Sequence, residues 1–523
     1  MPRPLPDRPN LEHLKQQAKS LLRDARAGDV EALRRFAMLP AFARRPPSSP
    51  DDLALHDAQS VIAREHGLAS WSALREEVQA RTLTFAEAAD AFLRLATGGA
   101  GARAERLLAL HPAIASSSVH AAIVLGDEAR VRAALARDPG LATRKGGPRD
   151  WEPLLYACQT TLTADQPVRQ EGLVAVVRAL CAAGANPDAE YHWDWHPELP
   201  RTALWGACCV VGSLPLAEAL LQAGATPTDG VTAHIAGGGG NVAVLELLLR
   251  HGLDVDGSPR AVPPLPYMLT WATDPTGPRW LLEHGADPNL TVGAEQETAL
   301  HVAARRWDVA MVDLLLAHGA DPRRRRADGR TAYALAALNG RGAIAARLAA
   351  LGGGETLSPL DRFVAACASG ARAEASAMLA ARPSLASELL PEHHRLLHRA
   401  AEEDDVPALE AMLACGFAVE ARDGDGVTPL HRAAMAGRRA ATAVLLTAGA
   451  DVHATDPTFN ATPLLWAAEG RDHAAPGADH VAVARLLIEA GSPVDWQAPD
   501  GAPHQEHTHD ALQALAREAA LSS

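Results

Sequence analysis

The chain has 523 residues, too many for one compact core, so several domains or one quasi-linear array is expected. Hydrophobic residues make up 48% but aromatics only 4%, so the apolar mass is Ala, Leu and Val, which suits small packed helices and argues against a β-sandwich. The net charge of −14 argues against nucleic acid as a partner, because phosphate backbones are normally held by clustered basic residues.

The first 80 residues are nearly balanced, with 12 Lys or Arg against 11 Asp or Glu, so the acidity belongs to the remainder. Lysine occurs only at Lys15, Lys19 and Lys145; so Arg- and Ala-rich a chain points to a GC-rich, bacterial genome. The six cysteines form no Cys-x-x-Cys pair and lie mostly in apolar helical stretches, which reads as buried free thiols in a reducing compartment. The opening residues lack the apolar core of a signal peptide. The charge-free run 202–217 is too short to span a membrane and is interrupted by Gly206, Gly212 and Pro215. A soluble cytoplasmic protein without cofactors is expected, and a monomer.

In chain order, Asn10 is placed to cap a helix carrying Leu11, Leu14, Ala18, Leu21 and Leu22 at helical spacing. Pro46, Pro47 and Pro50 with Ser48 and Ser49 read as a linker. Two helices follow, broken at Gly67, with Ser70 capping the second and Trp71 packed between them. From residue 84 onward a Leu/Ala helix, a Gly break and a second Leu-rich helix alternate. Such units are anchored on Val119, Pro153, Thr202, Thr232, Thr298, Thr331, Leu396, Thr428 and Thr462. Pro275 and Pro278 should shorten one second helix. Residues 352–354 are all glycine and mark the clearest break. A last helix near 511–521 would close the stack.

The strongest units have explicit chemistry. In Thr428-Pro429-Leu430-His431 the threonine is an N-cap, proline sits where its missing N–H costs little, and leucine points inward. Ala433 and Ala434 are small because a helix lies against them, Gly437 turns the chain, and Gly449 accepts a left-handed conformation. Thr298 to Thr331 spans 33 positions and Thr428 to Thr462 spans 34. This period, opening on Thr-Pro-Leu-His and closing on Leu-Leu-x-x-Gly-Ala-Asp, resembles the ankyrin repeat over about four-fifths of the chain. The Ala-Arg-Glu-His-Gly-x-x-Ser-Trp-x-x-Leu string at 63–74 is similar to a small helical segment found ahead of bacterial ankyrin arrays.

The resemblance implies an all-α solenoid of about twelve helix-turn-helix units with projecting loops or short β-hairpins. The expected divisions are a helical segment at 1–81, repeat blocks at 82–355 and 356–498, and a capping helix at 499–523. It also implies a scaffold or adaptor that binds a protein, not nucleic acid or membrane, on the concave face of the stack. At the variable positions of that face stand Arg305, Arg306, Leu338, Asn339, Glu402, Glu403, Met435 and Glu469. Trp307 replaces the glycine between helices, and Trp205 replaces the repeat histidine. Arg323, Arg324, Arg325 and Arg326 fall on a projecting loop, where guanidinium forks could match an acidic peptide. Trp193 and Trp195, in an aromatic insertion running from Tyr191 to His196, are a candidate hot spot.

Residues 237–240 are glycines, but no Gly-Lys-Ser/Thr follows, so they read as repeat positions and not as a phosphate loop. His301, His398 and His431 should bond the backbone of an adjacent loop. His504, His507 and His509 beside Glu506 and Asp510 lack a frame for a metal. No nucleophile elbow or His-Glu-x-x-His occurs, so no enzymatic activity is expected. The alternative is a metal- or ligand-dependent regulator, or an enzyme, with its site in the N-terminal segment or at 191–196.

Overall fold

The computed structural model describes residues 3–6, 8–39, 42, 49–50, 53–162, 166–193, 196–257, 262–471, 477–494, 512, 515, 516, 518 and 519, with side chains left out at 193 and 196–199. Pro46, Pro47 and Ser48 of the expected linker lie outside these residues, as do Asp194, Trp195 and the His504, His507 and His509 group. The chain packs as two compact units, Met1–Ala261 and Val262–Ser523.

The first unit opens with α1 (Leu11–Arg26), α2 (Val30–Phe36), α3 (Leu55–Glu65) and α4 (Trp71–Thr82). Asn10 caps α1 by accepting from the His13 N–H, and Ser70 caps α4 by accepting from Ala73. Leu14, Ala18 and Leu21 of α1 bury against Val61 and Ile62 of α3 and Leu74 of α4, with Trp71 packed at the edge of that cluster. A bidentate ion pair, Arg35 to Glu65 at 2.6 and 2.9 Å, fastens α2 to the end of α3. The forked geometry lets one guanidinium fix two oxygens, so the pair sets orientation as well as distance.

Helix pairs follow. The first are α5 (Phe85–Ala96) with α6 (Gly101–Leu110), α7 (Val119–Val124) with α8 (Glu128–Arg137), and α9 (Pro153–Cys158) with α10 (Pro167–Ala182). Then β1 (Glu190–Trp193) pairs antiparallel with β2 (His196–Thr202), placing Tyr191 opposite Arg201. Three-residue α11 (Ala203–Trp205) runs into a π-helical turn, Gly206–Val210. The unit ends with α12 (Leu214–Gln222), α13 (Thr232–Gly238) and α14 (Val242–Arg250). Thr232, the anchor of its repeat, is the first helical residue. Asp229 takes the capping role, accepting from the N–H groups of Val231 and Thr232 at 3.0 and 2.8 Å.

The second unit contains α15 (Pro264–Leu269), α16 (Thr276–Glu283), the hairpin β3 (Thr291–Val292) and β4 (Glu297–Thr298), then α17 (Ala299–Arg306) and α18 (Val309–Ala317). It continues with α19 (Ala332–Leu338), α20 (Gly342–Leu348), α21 (Pro359–Ala368), α22 (Arg372–Ala381), α23 (Pro391–His394), α24 (Leu396–Glu402) and α25 (Val406–Ala414). Last come α26 (Pro429–Met435), α27 (Arg439–Thr447), α28 (Pro463–Gly470) and α29 (His480–Glu489). Several second helices end on a glycine with positive φ, +89° at Gly319 and +86° at Gly449, a backbone that L side chains avoid, whereas α22 ends at Arg382 before Pro383.

Adjacent units are laced by a side-chain ladder along their loops. Asn289 accepts from the Asp321 N–H at 2.8 Å and donates to the Gly319 carbonyl at 3.0 Å. Glu420 accepts from the Asp451 N–H at 2.8 Å. The aspartate of each Gly-Ala-Asp closes its own turn, Asp321 accepting from Arg323 N–H and Asp451 from His453 N–H, both at 2.9 Å.

The division at 261/262 differs from the expected one at 355/356. Leu338, before the glycine run, shares one buried cluster with Phe363 and Val364 after it, and that cluster continues to Leu464 and Leu487. The run is absorbed into a π-helical turn (Ala349–Gly353), and Arg323 donates to the Gly352 carbonyl at 3.2 Å. Leu512, Leu515 and Ala519 are buried in the same cluster.

Candidate protein-binding surface

The regular first helices of the second unit are fixed by a histidine clamp. The Nδ1 atom of His301 accepts from the Thr298 backbone N–H at 3.2 Å and lies 2.8 Å from its hydroxyl. Its Nε2 lies 3.1 Å from the Arg324 carbonyl of the next loop. His431 repeats this with Thr428 and the Ala461 carbonyl, at 3.3 and 3.1 Å. A ring that accepts on one nitrogen and faces a carbonyl with the other must carry its proton on Nε2. Burial pushes the His301 and His398 imidazoles below their ordinary value and holds His431 at about 4. His398 bonds the Val427 carbonyl at 2.9 Å, but its Nδ1 faces the Arg395 carbonyl, because α24 has no capping threonine.

Around these clamps the arginines form an ion-pair lattice. Glu297, buried at the base of the β3–β4 hairpin, takes Arg305 on one oxygen and Arg326 on the other, each at 2.6 Å. Arg326 also pairs with Asp328. Burial opposes the Arg326 charge, but its hydrogen bonds to Asp328 and Glu297 outweigh that and hold the guanidinium above its usual value. Burial likewise pushes the Asp328 carboxyl up, and the Arg326 bond overcomes this and holds it at about 2. Arg325 binds Glu355 at 2.7 Å. Arg323 and Arg324 remain exposed, their side-chain bonds among the described residues being long ones to the Gly352 and Asn289 carbonyls, both 3.2 Å. Of the four loop arginines, Arg326 is drawn into the fold, while Arg325, though paired with Glu355, stays exposed with Arg323 and Arg324.

Trp307 is half-buried and donates its indole N–H to the Leu269 carbonyl at 2.9 Å. It solves the turn differently from glycine: its φ of −105° and ψ of −179° are extended, and Asp308 caps the next helix. Where glycine is kept, at Gly340, φ is +68° and a Cβ would stand 2.1 Å from the Ala368 carbonyl oxygen.

Arg306 and Glu402 are exposed. Glu403 takes Arg399 at 2.7 Å and also pairs with Arg341. Arg341 sits between α19 and α20, so this contact reaches past the α21–α22 pair. Desolvation and Arg305 hold the Arg306 guanidinium below its ordinary value, while Glu402 and Glu403 act in the opposite sense. Met435 is half-buried, with its carbonyl bonded by His480 at 3.0 Å, and Glu469 is exposed. The structure thus brings Arg306, Glu402 and Glu403 into electrostatic range, a grouping the sequence does not signal.

In the first unit, Trp193 lies on β1, and Trp195 is outside the described residues. Tyr191 stacks on Trp151, ring centres 4.3 Å apart, and Arg201 lies 4.5 Å over the Trp205 ring. Gly240, with φ +74°, turns the chain between α13 and α14, while Gly237 and Gly238 are buried within α13. The cysteines are all unpaired; Cys181 and Cys209 are only half-buried, contrary to the expectation of buried thiols throughout. Burial pushes the Cys158 thiol up, and Cys209 up to about 12, which suppresses the nucleophilic thiolate. Among the described residues, no three His, Cys, Asp or Glu side chains are grouped to hold a metal, and no helix is long and apolar enough to cross a membrane.

Comparison with known proteins places these features. A stretch of 58 residues, 11% of this chain, is 45% identical to the 2-5A-dependent ribonuclease of Mus musculus and covers 8% of that protein. The chain therefore matches only a small part of that relative's length. Residues 273–355 and 397–500, both in the second unit, match the family model described as ankyrin repeats (3 copies). The histidine clamps at His301 and His431 and the loop ladder lie within the two matched stretches.

Proposed function

We propose that the second unit is a protein-binding scaffold whose partner lies against the inner turns and loop tips of its repeats. The observation that carries this reading is the match of residues 273–355 and 397–500 to ankyrin repeats, which generally mediate protein–protein interaction. The exposed side chains favour a partner of mixed charge: Arg306, Arg323 and Arg324 stand on the same unit as Glu402 and Glu469. Arg305 and Arg326 are spent on Glu297, so they shape this surface and do not supply its contacts, whereas Arg325, paired with Glu355, stays exposed. Non-enzymatic action fits the suppressed thiols and the hydrogen-bonded histidines. The Arg-for-Lys composition supports a bacterial source, and six unpaired cysteines support a reducing, cytoplasmic compartment.

The test is site-specific photocrosslinking in the native cell. A photoreactive residue placed at Arg306, Arg323 or Glu402 should capture one common partner. The same residue at Ala317 or Thr447, exposed at the ends of second helices, should not. Equal capture from both sets of positions would sink the reading.

A further inference from the structure

A groove in the first unit encloses about 750 Å3 and is lined by Arg94, Arg149, Trp151, Gln159, Tyr191 and Trp205, among others. No Asp or Glu lines it among the described residues, although the chain as a whole is acidic. Its floor is built with care. Tyr156, fully buried, accepts from the Arg149 N–H and donates to the Gly146 carbonyl, both at 3.0 Å. That pins the small turn closed by the Gly146–Trp151 bridge and aims Arg149 and Trp151 at the groove.

The Arg149 guanidinium is half-buried and lies 5.0 Å from the Trp151 ring centre. Its Nε donates to the Thr97 hydroxyl at 2.7 Å and one terminal nitrogen to the Arg94 carbonyl at 2.8 Å. No carboxylate pairs with it among the described residues, and Arg94 is a charged neighbour of like sign, also without an acid among those residues. Burial presses its pKa downward, with Tyr191 and Tyr156 acting in the opposite sense and the Arg94 charge adding to the fall. A desolvated cation beside a like charge is costly unless an anion joins it. Gln159 supplies an independent sign. It is 2% exposed and lines the groove, and its amide Nε2, closed off against Gly206 where a Cβ would stand 2.4 Å away, has no hydrogen-bond partner among the described residues. Buried amide donors are almost always satisfied, so this one marks a polar group left unpaired behind the groove wall.

We propose that this groove binds a small organic anion, its phosphate or carboxylate group held by Arg149 and Arg94 and its carbon body against Trp151 and Tyr191. The charged donors are guanidinium N–H groups, which select an oxyanion and reject cations. The aromatic wall selects an apolar or flat body over a bare ion. This site lies in the first unit and does not depend on the protein-partner reading of the second.

The experiment is titration of the full chain with phenyl phosphate, benzoate and inorganic phosphate, followed by calorimetry and tryptophan fluorescence. At least one aromatic probe should saturate, weaken as salt rises and exceed inorganic phosphate in affinity. Comparison of the two aromatic probes distinguishes phosphate from carboxylate. Arg149→Gln and Arg94→Gln should each weaken binding about tenfold or more, the size of one charge-assisted contact. Arg94 is exposed and makes no side-chain bond among the described residues, so Arg94→Gln with an unchanged Tm decides the matter if Arg149→Gln does not fold. Failure of both aromatic probes to saturate, or undiminished binding in Arg94→Gln, would overturn the proposal, as would equal affinity for inorganic phosphate.

Discussion

A neutral imidazole is what each repeat clamp requires, since protonating Nδ1 would set a third donor against the threonine N–H and hydroxyl. The folded His431 value of about 4 lies below the ordinary 6.5, so the unfolded chain takes up the proton first as pH falls. Its stabilisation is complete above about pH 6.5 and drains away toward pH 4, by about 2 kcal/mol at pH 5. Denaturant midpoints at pH 7 and pH 5 should therefore separate in the wild type and draw together in His431→Gln. Equal pH dependence in both would remove the clamp from the account. Glycine provides a second comparison at this scale. Gly319 has positive φ and open space around it, so Gly319→Ala should cost about 1–2 kcal/mol for the left-handed backbone alone. Gly340→Ala adds a 2.1 Å approach to the Ala368 carbonyl and should cost more in the same chemical melt. Equal losses would mean that the neighbouring helix yields freely.

Between elements, the Glu297 pairs decide how the β3–β4 hairpin joins its helix and the next loop. Glu297 is 8% exposed, and its partners Arg305 and Arg326 come from positions 8 and 29 residues away. Glu297→Gln leaves two guanidinium groups without their carboxylate and should destabilise the second unit by about 3 kcal/mol. The exposed Arg23–Asp24 pair, broken by Asp24→Asn, should cost under about 1 kcal/mol. Added salt should erase the second loss and leave most of the first. The opposite salt response would show that the Glu297 site is open to solvent. At this scale sequence and structure part company. The Thr-to-His spacing of three residues is local, so caps, clamps and glycine turns were legible in the chain. The pairing of Arg326 with Glu297, and the exposure of Arg323 two positions from the half-buried Arg325 partner Glu355, depend on where a hairpin from another unit arrives.

At the level of the second unit, bonds between neighbours dominate: the loop ladder, the histidine clamps and the shared apolar faces all join adjacent repeats. Stability in such a stack is a sum of local terms, and damage spreads by contact. Leu430→Ala removes a side chain 1% exposed and should cost about 2–5 kcal/mol. Hydrogen exchange should then lose protection first in α24 to α28 while α17 and α18 keep theirs. A uniform loss from residue 262 to 494 would show that the unit unfolds as one cooperative block.

What the sequence determined by itself is the repeating unit: its period, its caps, its turns, and the structural role of its histidines. Those features rest on interactions three to five residues apart, on the repeat of the same loop one period on, and on backbone angles that few residues tolerate. The tertiary structure decided which charges are free. Arg326 and Arg305 are consumed by Glu297, Glu403 reaches Arg341 across an intervening helix pair, and Arg149 and Arg94 line a groove without a carboxylate among the described residues. Each of these outcomes depends on distances between residues far apart in the chain. Electrostatic energy depends on those distances and on burial, and the packing of one repeat on another sets both.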